Sequence, residues 1–305
     1  MTTTPFFSVI LPTHNRATFI GQAIDSILLQ SFTNFELIII DDGSTDNTKE
    51  VVSAFNDKRI FYHYQENQER SIARNNGIKK AQGQYICFLD SDDYYLPNHL
   101  AVLYENIKNH NYPVALFHTY QTYKVNGQEK DMQFYDDYKN SELSETDCRL
   151  INNVWLFSPA VQTIAVHKDI CSAISFNTYT IPFECYEYVG NITALYTLIK
   201  IKEKTVIMLT HENNSTSYNV KYLEDSKNAF TYILSNPIYK NIKNHFWVKN
   251  KFYFIYIGLA DCYSRSGNRM AAINCLFKAL SYKTNIKNIR HLLGITKNII
   301  TPKWR

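Results

Sequence analysis

Apolar residues follow two alternating rhythms along the first hundred positions of this chain. Phe6 to Leu11 (FFSVIL) is a β-branched apolar run stopped by Pro12, which predicts a buried parallel strand. Thr18 to Leu29 then sets Phe19, Ile20, Ala23, Ile24, Ile27 and Leu28 at helical spacing. Phe35 to Ile40 (FELIII) predicts a second buried strand, followed by a helix through Val52 and Phe55 that Ser44, Thr45 or Asp46 can cap. Ile60 to Tyr64 predicts a third, shorter strand. Arg70 to Ala81 predicts a helix with Ile72, Ala73 and Ile78 inward, and Gly83 separates it from a fourth strand at Ile86, Phe88 and Leu89. Strands alternating with helices in this way predict an α/β fold, a doubly wound and mostly parallel central sheet with flanking helices.

Beyond residue 100 the pattern weakens. Leu100 to Ile107 predicts a helix, Val114 to Tyr123 a strand, and Thr205 to Thr210 another, with the polar stretch Lys124 to Thr146 read as a hairpin or excursion. From Lys221 the chain becomes helical and aromatic. Phe252, Ile255, Tyr256 and Leu259 share one predicted helix face, and Met270, Ala271, Ile273, Leu276, Phe277 and Leu280 share the next. The expected organisation is an α/β domain over 1–220, with halves 1–100 and 101–220, and a C-terminal α-helical region over 221–305.

Composition changes this picture little. The 305 residues are 45% hydrophobic, and 32 basic against 28 acidic residues leave a net charge of +4, so no nucleic-acid partner is implied. Six scattered cysteines without a CxxC pair suggest reduced thiols and a cytoplasmic location. MTTTPFFSVILPTHN lacks the charged start of a signal peptide, and no apolar run reaches the roughly 18 residues of a membrane span.

The candidate chemistry lies where the strands end. Asp41 and Asp42 follow the second strand, and Asp90, Asp92 and Asp93 follow the fourth. In an open α/β sheet ligands bind beyond the carboxyl ends of the strands. Carboxylates gathered there repel one another unless a positive group, such as a hard divalent cation, sits among them. Aspartates that cap the following helices would give the same spelling. Neither GxGxxG nor GxxxxGK[ST] occurs, so the dinucleotide fingerprint and the P-loop are absent.

Together, SVILPTHNRATFIGQAIDSILLQSF, FELIIIDDGSTDNT and ARNNGIKKAQGQYICFLDSDD resemble the nucleotide-sugar-binding half of the family 2 glycosyltransferases, over about residues 6–100. The resemblance implies the GT-A fold and an inverting sugar transfer from a nucleoside diphosphate donor, UDP-linked in most cases. It implies that Pro12, Thr13 and nearby backbone hold the base and ribose, that Asp42 accepts a hydrogen bond from the base, and that Asn15 lies close by. Arg74 or Asn75 would line the nucleotide pocket. Asp90, Ser91 and Asp92 would form the DxD element, with Asp92 coordinating Mg²⁺ or Mn²⁺ on the diphosphate and Asp90 near the ribose. Such an ion offsets the charge left on the departing phosphate. Residues 101–220 would recognise the acceptor, a glycan or lipid-linked glycan of surface polysaccharide assembly, with Asn153 to Val166 as a strand behind the sugars and Trp155 open to stacking or to core packing.

Inverting members take the acceptor proton with a carboxylate opening a later helix. Here IPFECYEYVGN offers Cys185 or Asn191 at that place, so Glu184 and Glu187 are the alternative candidates. His211, after the last strand, is expected at the metal. GLADCYSRSGNRMAAINCLFKAL resembles one tetratricopeptide-type hairpin, too few for a free solenoid. It would pack on the catalytic domain or on a second subunit, as in a homo-oligomer. The segment NIKNIRHLLGITKNII with TPKWR is basic and amphipathic, a pattern shared by helices at the inner face of a membrane and helices packed on their own protein. Two other functions share these features: a nucleotide-sugar-binding scaffold that lacks the base, and a nucleotidyltransferase.

Overall fold

The computed structural model describes residues 4–125, 128–131, 139, 141–156, 160–210 and 219–282. Contacts divide the chain into two compact units, one of Met1–Asp136, Ser158–Thr178 and Glu184–His211, the other of Asp137–Phe157, Tyr179–Phe183 and Glu212–Arg305.

The first unit is built on a sheet that begins as expected. Strands β1 (Phe7–Thr13), β2 (Phe35–Asp42), β3 (Ile60–Gln65) and β4 (Tyr85–Phe88) alternate with helices α1 (Ile20–Leu28), α2 (Thr48–Ser53) and α3 (Arg70–Lys80). The order β3-β2-β1-β4 is parallel throughout. Beyond β4 the sheet becomes mixed. After β5 (Tyr94–Tyr95) and helix α4 (His99–Asn109), strand β6 (Leu116–Val125) forms a hairpin with β7 (Gln128–Asp131). In the second unit the chain next forms α5 (Glu145–Leu150) and a π-helical run, Ile151–Leu156. It returns to the sheet as β8 (Ile164–His167), which pairs antiparallel with β4 and β6. Helices α6 (Lys168–Ala173) and α7 (Glu184–Leu195) precede β9 (Leu198–Thr210), which runs parallel to β6.

Both faces of the sheet are covered, which is why β1 and β2 read as continuous apolar runs rather than alternating ones. Val9 and Leu11 pack with Ile20, Ala23, Ile24 and Ile27 of α1 on one face. Ile10, Ile38 and Ile40 pack with Ala73 of α3 and Tyr188, Val189 and Ile192 of α7 on the other. A clamp closes the far end of these strands, with Ser8 Oγ donating to Glu36 at 2.6 Å and accepting from the Gly83 amide at 2.8 Å.

The second unit also contains α8 (Val220–Ser235), α9 (Phe246–Arg265) and α10 (Arg269–Tyr282). In the α9–α10 hairpin Ala272 and Ala279 are buried with Tyr253, Ile257 and Ala260. The expected inward face of α10 is therefore corrected: Met270 and Phe277 are about 70% exposed, because small alanines let the two helices approach closely. Trp155 is buried against Phe230 and Tyr239, at ring separations of 5.3 and 6.2 Å, so it is a core side chain rather than a sugar platform. The strand expected from Asn153 to Val166 is confined to its last residues, after the π-helical run. Among the described residues no helix is long and apolar enough to cross a membrane. His211 and the basic segment 285–305 lie outside the described residues.

Candidate functional site

The carboxyl ends of β1, β2, β3 and β4 lie on one edge of the sheet, and register fixes what meets there. Thr13 pairs with Asp41, and Asp42 with Gln65. Asp41 is committed to the fold: its Oδ1 accepts from the Ser44 amide at 2.8 Å and its Oδ2 from the Tyr62 hydroxyl at 2.6 Å. Burial first, and that bond next, raise the Tyr62 phenol above its ordinary range. Asp42 is buried too, and among the described residues its bonds are to Oδ1 alone, from Gln65 Nε2 at 2.7 Å and the Gln68 amide at 2.8 Å. Gly43 turns the chain here at a φ of +80°, where a Cβ would also come within 2.8 Å of the Asn67 nitrogen.

The loops after β1 and β2 are joined by short polar bonds. Asn15, itself at a φ of +52°, accepts at Oδ1 from the Thr45 amide at 2.7 Å and donates its own amide to Ser44 Oγ at 2.9 Å. The Ala17 amide donates to Asp46 Oδ2 at 3.1 Å. Asn15 thus holds the loop that follows Asp42, a role for which its side chain suffices without a ligand. Pro12 and Thr13 close β1, and the buried Thr13 hydroxyl has no hydrogen-bond partner among the described residues.

The DSDD turn after β4 separates its carboxylates by environment. Asp90 accepts from Arg74 Nη2 at 2.7 Å and from Gln162 Nε2 at 2.8 Å. Asp93 is buried, bonded to Gln162 Nε2 at 2.6 Å and to the Leu209 amide at 2.9 Å. Burial, with Asp90 and Asp92 nearby, pushes its carboxyl well above the usual carboxylate range. Ser91 is buried between them. The Asp90 and Asp92 side chains are both partly exposed, at 26% and 17%, and Asp92 has Arg16 Nε at 3.7 Å. A divalent ion that bridges a diphosphate needs only one or two protein carboxylates, the rest of its shell being phosphate and water. Asp92 fits that requirement. Among the described residues no three His, Cys, Asp or Glu side chains converge as a closed metal cage.

Arg74 is the centre of the arrangement. It is fully buried, and its guanidinium bridges Asp90 to Glu184 of α7, with Nη1 to Glu184 Oε1 at 2.7 Å. The Phe176 ring lies 5.4 Å from its Cζ. Burial pulls its pKa down, but Asp90 and Glu184 more than reverse this, so the net shift is upward and the charge is permanent. Asn75, the other pocket candidate, is spent on a reciprocal pair of bonds with the Phe176 backbone, both 2.9 Å.

The two glutamates proposed for proton transfer differ. Glu184 is 1% exposed and ion-paired to Arg74, with Arg70 Nε also 3.8 Å away. Glu187 is 8% exposed and accepts from Asn177 Nδ2 at 3.2 Å. Burial, and then the charge of Glu184, push the Cys185 thiol up to about 12, so it stays protonated at neutral pH. Sequence reasoning missed Arg16, Gln162 and Tyr62. Arg16 sits inside the PTHNR motif and was within reach of inspection; Gln162 lies in a turn with no periodic signal.

Residues 8–168 match the model of the family described as glycosyl transferase family 2. A Rickettsia felis protein named an uncharacterized glycosyltransferase is 44% identical over 106 residues, 34% of this chain. The chain spans only 18% of that relative's length. Among solved structures, S. aureus TarS 1-349 in complex with UDP-GlcNAc aligns with a TM-score of 0.59 at 16% identity, covering 90% of this chain and 88% of that one. Mannosyltransferase PcManGT from Pyrobaculum calidifontis, in complex with GDP-Man and Mn²⁺, aligns with a TM-score of 0.63 at 14% identity, covering 98% and 86%. At such identities the likeness is one of fold: the expected GT-A architecture, α/β with C-terminal helices, is the one observed.

Proposed function

This chain belongs to glycosyl transferase family 2, and on that premise we propose that it moves a sugar from a UDP-linked donor to a hydroxyl of a glycan or lipid-linked glycan, with inversion. The observation that carries the reading is the placement of Asp42, after β2, and of Asp90 and Asp92, after β4, at the carboxyl edge of the same parallel strands. TarS and PcManGT, with the same fold, were solved with UDP-GlcNAc and with GDP-Man and Mn²⁺.

In this reading Thr13 and Asp42 orient the base, and Asn15 keeps their loops in place. Asp92 would hold Mn²⁺ or Mg²⁺, which when bound supplies charge to offset the leaving diphosphate. Arg74 fixes Asp90 and spares it from being a free anion beside the phosphates. Glu184, neutralised by Arg74 and sealed from water, is a positioning residue for that arginine. The acceptor proton is assigned to Glu187, because the other carboxylate of this helix turn, Glu184, is held by Arg74. A surface-polysaccharide acceptor, a homo-oligomer and a seat at the inner membrane face through 285–305 complete the proposal.

The burial of Glu184 and the protonated Cys185 favour one competing reading, a nucleotide-sugar-binding scaffold without a base. Incubation with UDP- and GDP-sugars, Mn²⁺ and a panel of glycan acceptors, with nucleoside diphosphate release as readout, separates the two. Turnover that falls at least a hundredfold in Glu187→Gln supports the transferase. Tight UDP binding with no release under any acceptor supports the scaffold, and pyrophosphate release from a nucleoside triphosphate would mark a nucleotidyltransferase.

A further inference from the structure

A cavity of about 580 Å³ opens between β3 and α3, away from the DSDD turn. Ile40 contributes apolar surface, and the polar lining is His63, Gln65, Asn76, Lys79 and Lys80. Its volume falls in the range of about 300–1,000 Å³ usual for small-molecule pockets. No carboxylate lines it among the described residues, and Lys79 and Lys80 form no salt bridge there. Cations at the last turn of α3 are partly explained by the helix dipole, whose negative end lies there. That does not explain an imidazole placed beside them. Burial, and then Lys80, lower the His63 pKa, as expected where positive groups crowd a concave surface without a counter-charge. An anion would relieve that crowding.

The cavity wall is also wired to the sheet edge. Lys79 Nζ donates to Asn76 Oδ1 at 3.2 Å, Asn76 Nδ2 to Gln65 Oε1 at 2.9 Å, and Gln65 Nε2 to Asp42 Oδ1 at 2.7 Å. Asn76 and Gln65 each use both the oxygen and the nitrogen of the amide, so a change at Lys79 has a continuous polar route to Asp42.

We propose that this cavity binds a small phosphate monoester, of the sugar-phosphate class, and that occupancy is relayed through Asn76 and Gln65 to Asp42 and so alters donor affinity. The lysines and His63 take the phosphate. The remaining volume and the Tyr64 ring, 61% exposed at the rim, accommodate the sugar. The relay, though not the binding site, rests on the reading of Asp42 as a donor contact. By linkage the effect is reciprocal, so UDP must change monoester affinity by the same factor.

Calorimetric titration of the full chain with glucose 1-phosphate and, separately, inorganic phosphate, without divalent metal, tests the cavity. Binding of glucose 1-phosphate is expected to weaken at least tenfold in Lys79→Ala/Lys80→Ala, two exposed positions where the fold tolerates the change. Equal binding by the wild type and the double variant would overturn the site, and equal binding of the two ligands would overturn the monoester in favour of free phosphate. For the relay, saturating glucose 1-phosphate should shift UDP affinity at least threefold in the wild type and not in Asn76→Ala, with each protein brought to its own saturation by the monoester. An unshifted UDP affinity in the wild type rejects the relay. If UDP does not bind at all, the donor reading of Asp42 fails by itself, and the monoester titration still decides the cavity.

Discussion

Among single residues, Arg74 and Asp92 carry opposite kinds of consequence. Removing one partner of a buried ion pair leaves the other charge uncompensated, at a cost of about 3–5 kcal/mol. Arg74→Met leaves two carboxylates, Asp90 and Glu184, and should destabilise the chain by about that amount in a urea melt. Asp92→Asn, an isosteric change at a partly exposed position, should melt like the wild type yet lose at least tenfold in Mn²⁺-dependent UDP affinity; unchanged affinity would remove Asp92 from the metal. Two buried histidines set the acid limit. Burial pushes His99 and His118 down to about 3, His118 with help from Lys200. An unfolded histidine titrates near 6.5, so below that pH the unfolded chain binds protons the folded one refuses. Stability then falls with falling pH, by about 1.4 kcal/mol per pH unit for each histidine, until the folded pKa is reached. His99→Gln should remove one such slope between about pH 6 and 3, measured by denaturant melts across that range. What was legible at this scale was residue type at strand ends: Asp42, Asp90 and Asp92 stand out because charge interrupts apolar runs. That Asp41 is structural, or that Gln162 bridges Asp90 and Asp93, depends on partners up to 72 positions away and leaves no local trace.

Elements tell a different story about legibility. The first four strands and the helices between them lie where apolar spacing puts them, because a doubly covered sheet imposes one simple pattern. After β4 the chain pairs antiparallel, winds a π-helical run and contributes strands from both sides, so periodicity lost its force. The packing of α3 on β1 yields a prediction at this level. A Cβ on Gly77 would stand 2.5 Å from the Ile10 side chain, so the helix sits closer than any larger residue allows. Gly77→Ala gains about 1 kcal/mol of helix propensity. Overpacking costs about 1–3 kcal/mol. A net loss is expected because Ile10 is buried in the sheet and cannot withdraw. The same variant should weaken UDP binding, since α3 carries Arg74, and a melt combined with a UDP titration reads both.

In the whole molecule, the division into units does not follow the order of the chain. Neither unit is one continuous segment. The family match ends at residue 168, before β9, although β9 pairs with both β6 and β5. A chain truncated after residue 168 is expected to give no cooperative thermal transition and no near-ultraviolet circular dichroism, despite retaining every motif of the donor side.

The late arrival of β9 also matters on the ribosome. Roughly seventy residues separate the end of β6 from the start of β9. At synthesis rates of about 5–20 residues per second, β6 waits about 4–15 s with its long edge unpaired. During that interval the nascent chain exposes a strand template to its neighbours, so yield in the cell should depend on elongation speed and chaperone supply more than on the stability of the finished protein.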